Sequence, residues 1–231
     1  MNNLELSLAL ATAPTSAFTE LRERPRFWFP LLVLVVSTAV VIYWYYSVVD
    51  IDWLKETLYG NNPDFLKLPE AQRASAMAFV SRNTLLWGSL VAAALGLPVV
   101  LLLTALYYLV AAKVTKLPLG YKHWLSFASW TALPALLSTV ASAIFLILAD
   151  TTQLSPSVLQ PLSINALLLH RPIGSPGYSW FEALAIPGVL SWILMVIGVH
   201  VWSQRSWLFS AVFALLPSAV IFSVWAFFAF R

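Results

Sequence analysis

The side chains that could carry out acid–base or metal chemistry are few in this sequence, and their spacing matches no catalytic pattern. The three histidines, His123, His170 and His200, lie far apart and lack the i, i+4 spacing of a helical metal pair. Neither a Gly-x-Ser-x-Gly motif nor a His-Glu-x-x-His motif occurs. Cysteine is absent from the sequence, which excludes disulfides and thiolate nucleophiles. We therefore expect a protein that is not an enzyme and that holds no metal and no other cofactor.

One carboxylate could nevertheless have a functional position. Glu182 lies at the head of a long apolar run, about one turn before Pro187. An acid within a membrane helix commonly marks a functional site, whereas an acid at the end of such a helix can sit at the interface. The sequence leaves both positions open, so Glu182 is a candidate polar group of a cavity.

Five long apolar stretches carry these residues, and none of the five has an ionisable residue near its middle. They cover roughly residues 27–49, 84–112, 124–149, 183–199 and 206–230. A helix of about 20 apolar residues crosses the core of a bilayer. Hydrophobic residues make up 60% of the chain and charged residues 10%, and the mean hydropathy is +0.81. We predict an all-α membrane protein, a bundle of five transmembrane helices with proline kinks and short interfacial helices.

Each predicted span contains a proline, and four of these prolines lie in the interior of the span or nearly so. They are Pro98, Pro134, Pro187 and Pro217. An interior proline removes a backbone hydrogen bond and tends to kink the helix. Kinked helices can surround a cavity, although proline is also commoner in membrane helices than in soluble ones. The four prolines are therefore kink candidates, either as walls of a cavity or as packing features.

Small residues recur every fourth position in two spans. In the second span they are Gly88, Ala92 and Gly96, and in the third span Thr131, Ala135 and Thr139. Close approach of backbones at small residues is a main source of helix association in lipid. Both stripes are helix-packing candidates, within this chain or against a second copy, and packing within the chain is the favoured interpretation.

The distribution of positive charge predicts the orientation of the chain. Seven basic residues lie on one side, in short segments: Arg22, Arg24, Arg26, Lys113, Lys116, Lys122 and Arg205. The six on the other side lie mostly in a long loop that also contains acidic residues. Short basic segments remain in the cytoplasm. We expect residues 1–26 to be a cytoplasmic N-terminal segment, residues 27–231 the membrane domain, and the C-terminus to lie outside.

The connections also have recognisable patterns. Asn61-Asn62-Pro63 predicts a turn, and Glu70–Arg82 is typical of a short helix on the membrane surface, with a lid over a cavity as the alternative. The apolar run Leu4–Leu10 suggests an interfacial helix rather than a cleaved signal peptide, because Glu5 interrupts it and no positive charge precedes it. No run of basic residues interleaved with aromatics occurs, so we expect no nucleic-acid partner.

A series of short stretches along the chain is similar to a known family. The stretches are Ala13–Phe18, Leu21–Pro25, Trp28–Pro30, Gly120–Lys122, Trp130–Pro134, Trp202, Ser206–Trp207 and Pro217. The series resembles bacterial membrane proteins of the Yip1 family. The resemblance implies five membrane helices in the bacterial inner membrane, with a cytoplasmic N-terminus and a periplasmic C-terminus. The charge distribution predicts the same orientation independently.

One property of the eukaryotic members is not implied for this chain. Those members bind small GTPases through a cytoplasmic N-terminal segment, which here has only about 26 residues. Their Asp-Leu-Tyr-Gly-Pro motif is missing from the first span, and Leu58-Tyr59-Gly60 comes after that span and is followed by Asn61. GTPase binding is therefore not supported.

Two functional hypotheses remain. The leading one is a non-enzymatic inner-membrane protein of the Yip1 type that organises the bilayer or binds partners, through helix packing with itself or with other membrane proteins. The alternative is transport or handling of a small molecule or lipid in a cavity between kinked helices, lined by serine, threonine and aromatic side chains. Both place the chain in contact with the lipid bilayer.

Overall fold

The computed structural model describes residues 1–60 and 63–231. In that part of the chain every regular element is a helix, apart from an isolated bridge between Ser163 and Ala185. Five candidate spans are long and apolar enough to cross a membrane: Trp28–Val48, Arg82–Val114, Tyr121–Leu148, Ile186–Ser203 and Trp207–Ala229. The predicted all-α membrane fold is therefore confirmed. The turn expected at Asn61-Asn62-Pro63 falls on residues 61 and 62, which lie outside the described residues.

The described helices follow one another in a fixed order. The α-helices are α1 (Asn3–Thr12), α2 (Pro14–Glu23), α3 (Trp28–Val48), α4 (Ile51–Lys55), α5 (Pro63–Leu66), α6 (Glu70–Phe79), α7 (Arg82–Val114), α8 (Tyr121–Thr131), α9 (Leu136–Leu148), α10 (Tyr178–Ala183), α11 (Ile186–Ser203) and α12 (Trp207–Ala229). Short 3-10 turns cover Leu133–Ala135 and Pro156–Leu159, and π-helical turns cover Glu56–Gly60 and Asn165–Leu169. The third span therefore consists of α8, a 3-10 turn and α9.

The bundle has two ends that differ in structure and charge. At one end, called the hairpin end, α1 and α2 lie beside the start of α3 and α8 and the end of α7 and α11, and Arg205 Nη2 donates to Thr115 O at 2.6 Å. The opposite end, called the loop end, carries the connections between α3 and α7 and between α9 and α11. There Asp50 N donates to Thr152 O at 2.8 Å, which joins the two connections.

Helix α8 is the centre of the hairpin end. Every residue from Trp124 to Thr131 is buried, so this helix is enclosed on all sides. Its aromatic residues meet those of three neighbouring helices. The Phe127 ring centroid lies 5.1 Å from that of Trp202 in α11 and 5.2 Å from that of Tyr108 in α7, and the Trp124 centroid lies 5.6 Å from that of Phe213 in α12. Such ring pairs add to the stability gained by close packing. The result is an aromatic core shared by α7, α8, α11 and α12.

The N-terminal residues are part of this core. Leu6 and Leu10 of α1 and Phe18 of α2 are buried in it, and Trp202 Nε1 donates to Phe18 O at 2.7 Å. A capping box between Asn2 and Glu5 starts α1, and Pro14 stands in the first turn of α2, where proline fits. The two helices form a hairpin that packs against α8 and α11 of the bundle.

The kink candidates differ in position. Pro134 lies in the 3-10 turn that interrupts the third span, whereas Pro98 and Pro217 lie inside the continuous helices α7 and α12. The interior position expected for Pro187 is wrong, because Pro187 is in the first turn of α11. The fourth span begins at Ile186 instead of residue 183, since Ala185 is extended and its neighbour Ile186 donates its N–H to Leu162 O.

The two small-residue stripes also differ. Gly88, Ala92 and Gly96 are exposed, and no atom lies within 4 Å of a Cβ placed on either glycine. Intramolecular packing of this stripe, the favoured interpretation, is therefore wrong, because this part of α7 meets α3 through another face, on which Ser89 bonds the Tyr46 hydroxyl. In the third span, Thr131 is buried and donates its hydroxyl to a carbonyl one turn earlier, Thr139 is half-buried, and Ala135 is exposed.

Candidate functional site

An open groove of about 730 Å³ runs along the bundle from the hairpin end. Its walls come from four places: α1 with the start of α2, the first turns of α3, the 3-10 break with the start of α9, and the middle of α11. The lining residues are Leu4, Ser7, Leu10, Ala11, Pro14, Phe29, Val33, Leu133, Pro134, Leu136, Leu137, Leu190, Ile193, Leu194 and Ile197. The groove joins elements that are far apart in sequence.

Two local features of the sequence produce the groove. Pro134 has no N–H to donate and disfavours the helical conformation of the residue before it, so α8 ends and α9 starts after a 3-10 turn. Helix α1 carries leucines on two sides, with Leu6 and Leu10 buried while Leu4 and Leu8 are each 69% exposed. A helix with this composition suits the membrane, where its outer face meets lipid. The break and the hairpin thus face each other across the groove.

The chemistry of the lining is almost entirely hydrocarbon. Among the described residues that line the groove, Ser7 is the single polar side chain, and its hydroxyl already donates to Asn3 O at 2.9 Å. Phe29 is the one aromatic side chain. The alternative hypothesis expected a cavity rich in serine, threonine and aromatic groups, and this composition is wrong for the groove. The arrangement can accommodate an apolar chain but offers few groups to orient a polar ligand.

A polar cluster lies beside the residues that open the groove. Arg26 Nη2 donates to Glu20 Oε1 at 2.7 Å, and Arg26 Nη1 contacts Asn3 Oδ1 at 3.4 Å. The terminal ammonium of Met1 also contacts Glu20 Oε1 at 3.4 Å. Asn3 directly precedes Leu4 of the lining, and Arg26 is three residues before Phe29. The charged cluster therefore adjoins the groove at the hairpin end.

Helix α8 fixes the backbone of Arg26. The Ser126 hydroxyl donates to Arg26 O at 2.8 Å and accepts from Arg26 N at 3.1 Å, and Trp130 Nε1 donates to Arg26 O at 2.6 Å. These partners are about a hundred residues away along the chain. The Nε of Arg26 is buried and has no hydrogen-bond partner. The guanidinium is held in one place with a donor unused.

Glu182 is not in this groove. It lies in α10, outside the candidate spans, and its carboxylate accepts from Asn165 Nδ2 at 2.9 Å. Burial raises the pKa of the Glu182 carboxyl above its ordinary value, against the smaller opposing effect of hydrogen bonds from Asn165 and Ser163. Burial and the neighbouring carboxylate together raise the pKa of Tyr178 to about 12. Glu182 ties the loop before α10 to that helix, so its candidate role as a cavity group does not apply to the groove.

The histidines also serve packing. His200 stacks on Trp207 with ring centroids 3.9 Å apart, and the His123 ring meets the edge of Trp202 at 6.4 Å. His170 lies at the loop end, where its backbone N donates to Asn165 O. Across residues 1–60 and 63–231, no three histidine, aspartate or glutamate side chains come together as a metal site would require.

Sequence reasoning identified one wall of the groove and missed the others. Pro134 was a kink candidate, and it lines the groove. The roles of α1 and of Arg26 were missed, although the apolar run Leu4–Leu10 and the arginine just before the first span were both visible. The small-residue stripe of the second span does not contribute to the lining.

Comparison with known proteins places this geometry in a family. The Yip1 domain matches residues 8–228, which is nearly the whole chain. The chain belongs to the Yip1 domain family. The match begins within α1, so the Yip1 domain includes most of the hairpin as well as the five spans.

A bacterial membrane protein is similar to this chain over most of its length. "Membrane protein YknW" of Bacillus subtilis (strain 168) is 24% identical over 220 residues, which cover 93% of this chain and 87% of that protein. No solved structure matches the chain.

Proposed function

We propose that this Yip1-domain protein is a non-enzymatic membrane protein that handles lipid by holding a hydrocarbon chain in the groove between α1, α9 and α11. The observation that carries the proposal is the open apolar groove of about 730 Å³ beside the break at Pro134. Ligand sites commonly have volumes of about 300–1,000 Å³, and the groove lies within that range.

The energetics of the bilayer limit what such a groove can do. Lipid tails are as apolar as leucine, so a chain that moves from the bilayer into the groove gains no hydrophobic free energy. Its binding rests on van der Waals contact with the walls and on whatever holds the polar part of the same molecule. We therefore expect a chain that exchanges with the bilayer, which suits lipid handling better than permanent storage.

The first test is native mass spectrometry of the full chain released from phospholipid vesicles. The variant Ile193→Trp fills the groove, and Val220→Trp adds the same bulk on the exposed face of α12. We expect retained phospholipid in the wild type and in Val220→Trp, and its loss in Ile193→Trp. Equal retention by both variants would show that the bound lipid lies elsewhere on the surface.

A second candidate function rests on the exposed stripe of α7. Gly88, Ala92 and Gly96 have open space beside them, and small residues of this spacing allow close approach of a second helix. This supports the membrane-organising or partner-binding hypothesis, with association between chains. We expect Ala92→Leu to abolish any oligomer seen by native mass spectrometry, while Val91→Leu leaves it intact. An unchanged subunit number in Ala92→Leu would remove this candidate.

We also propose that the protein is a multi-pass protein of the inner membrane with its hairpin end in the cytoplasm. The hairpin end carries seven basic residues in short segments, whereas four of the six basic residues at the loop end lie in the long stretch from Asp50 to Arg82. This bias is the one expected of cytoplasmic segments. The absence of cysteine makes the test direct: an introduced Lys116→Cys should react with an impermeant thiol reagent only after the cells are opened, and Lys55→Cys should react before.

A further inference from the structure

We propose that Arg26 binds the phosphate of an anionic membrane phospholipid from the leaflet at the hairpin end, with an acyl chain of the same molecule in the groove. This inference rests on the proposed function and adds the class of lipid. The site would consist of the Arg26 guanidinium at the hairpin end of the groove and the hydrocarbon lining of the groove itself.

The first support is that hydrocarbon side chains line the groove, whereas the polar groups lie at its hairpin end. The lining offers one hydroxyl, which is already bonded, so the polar part of a bound lipid has to lie outside the groove. Leu4 and Phe29 line the groove, and the Arg26 side chain contacts Asn3, the residue before Leu4. A lipid with its chain in the groove therefore brings its headgroup to the level of Arg26.

The second support is the state of the Arg26 guanidinium. A guanidinium carries five N–H donors in a planar fork that suits phosphate oxygens. Here one donor is engaged firmly, by Glu20, and the contact with Asn3 is long at 3.4 Å. The Nε donor is buried, so a ligand would reach the guanidinium through its Nη groups, and the Arg26 side chain is 30% exposed. Ser126 and Trp130 hold the backbone of Arg26, so the fork is positioned before any ligand arrives.

The third support is charge complementarity. The excess of basic over acidic residues at the hairpin end attracts anionic headgroups toward this leaflet. Glu20 acts in the opposite sense locally, because its carboxylate repels a phosphate while it holds the guanidinium. Replacing Glu20 therefore tests whether Arg26 binds a ligand or only forms a structural ion pair with Glu20.

The test uses the full chain in vesicles with equal amounts of phosphatidylglycerol and phosphatidylcholine that have identical acyl chains, followed by native mass spectrometry. The wild type should retain phosphatidylglycerol with roughly fivefold preference, the order expected of one partly exposed ion pair. Arg26→Gln should reduce this preference to about one while lipid remains bound. Arg24→Gln is the matched control, since Arg24 is exposed and forms no ion pair among the described residues, and it should keep the preference.

Two further variants distinguish the roles of the ion pair. Glu20→Gln removes the competing carboxylate, so it should raise the preference for phosphatidylglycerol. If the pair were only structural, Glu20→Gln and Arg26→Gln would lower thermal stability alike and leave the preference unchanged, which would overturn the inference. Should Arg26→Gln fail to fold because Glu20 is left unpaired, the double variant Glu20→Gln, Arg26→Gln removes both charges, and an unchanged preference in that variant would also overturn the inference.

Other results of the same experiment also distinguish this inference from the proposed function and from nonspecific attraction. Bound lipid without any preference in the wild type overturns this inference and leaves the proposed function standing, whereas no bound lipid in any variant overturns both. Displacement of phosphatidylglycerol by millimolar inorganic phosphate would show a site for free phosphate instead of a lipid. An equal loss of preference in Arg24→Gln and Arg26→Gln would show general surface attraction in place of a site.

Discussion

Gly198 lies where the N-terminal hairpin meets the bundle, so a single added methyl group tests that contact. A Cβ at this position would lie 2.5 Å from Phe127 Cε2, 2.7 Å from Phe18 Cε1 and 2.9 Å from Phe18 Cδ1. Both phenylalanine rings are fully buried, and their centroids are 5.6 Å apart. The rings cannot move away without displacing other core side chains. Gly198→Ala should therefore force α2 away from α11.

The expected loss of stability in Gly198→Ala follows from a comparison with Gly188 of the same helix. A Cβ added at Gly188 meets no atom within 4 Å. Both substitutions carry the conformational advantage of alanine over glycine, about 0.5–1 kcal/mol in a helix, so it largely cancels between the two variants. The remainder is the cost of overpacking a filled core, typically about 1–3 kcal/mol. We expect Gly198→Ala to be less stable than Gly188→Ala by about this amount.

The assay is thermal unfolding of both variants in the same detergent, followed by tryptophan fluorescence. For a chain of this size, 1 kcal/mol corresponds to about 2–4 °C in Tm, so the two variants should differ by about 2–12 °C. Gly198→Ala should have the lower Tm. Equal Tm values would refute the packing of the hairpin against α11 and with it one wall of the groove.

Two other substitutions test particular contacts. Trp202→Phe removes the side-chain hydrogen bond that joins α11 to Phe18 O of α2, so it should cost about 0.5–1.5 kcal/mol and speed proteolysis within α2; unchanged protease resistance would contradict the contact. The raised pKa of Glu182 means that the folded state binds its proton more tightly than the unfolded state does. Its contribution to stability is therefore greatest at low pH and is lost as pH rises through the raised pKa. Glu182→Gln should flatten the dependence of Tm on pH in the acidic range, and an unaltered slope would assign that dependence to other groups.

The architecture of the membrane part is predictable from local properties of the sequence. Five apolar runs lack central charges, and each overlaps a described span that is long enough to cross a bilayer. Pro134 also behaves as its chemistry requires, because the third span breaks there. Pro187 was misplaced because the apolar run continues upstream of the true helix start, although a proline is typical of a first helical turn; the bridge between Ser163 and Ala185 holds the residue before α11 extended.

The packing faces are less predictable, since they depend on partners distant in sequence. Gly88 and Gly96 have the spacing of a helix contact, yet this part of α7 meets α3 through another face, where Ser89 shares a hydrogen bond with the Tyr46 hydroxyl. Likewise, the apolar run in α1 suggests membrane contact, but its role as a wall requires the break at Pro134 on the other side. Arg26 is positioned by Ser126, a hundred residues away.

The most direct measurement of the central claim is labelling by a phospholipid that carries a photoreactive diazirine on its acyl chain. The full chain would be irradiated in vesicles, and labelled residues would be located by peptide mass spectrometry. A chain held in the groove should label Leu137 and Ile193 well above Val99, which lies on the lipid-exposed side of α7. Equal labelling of all three residues would mean ordinary bilayer contact and would contradict a lipid-holding groove.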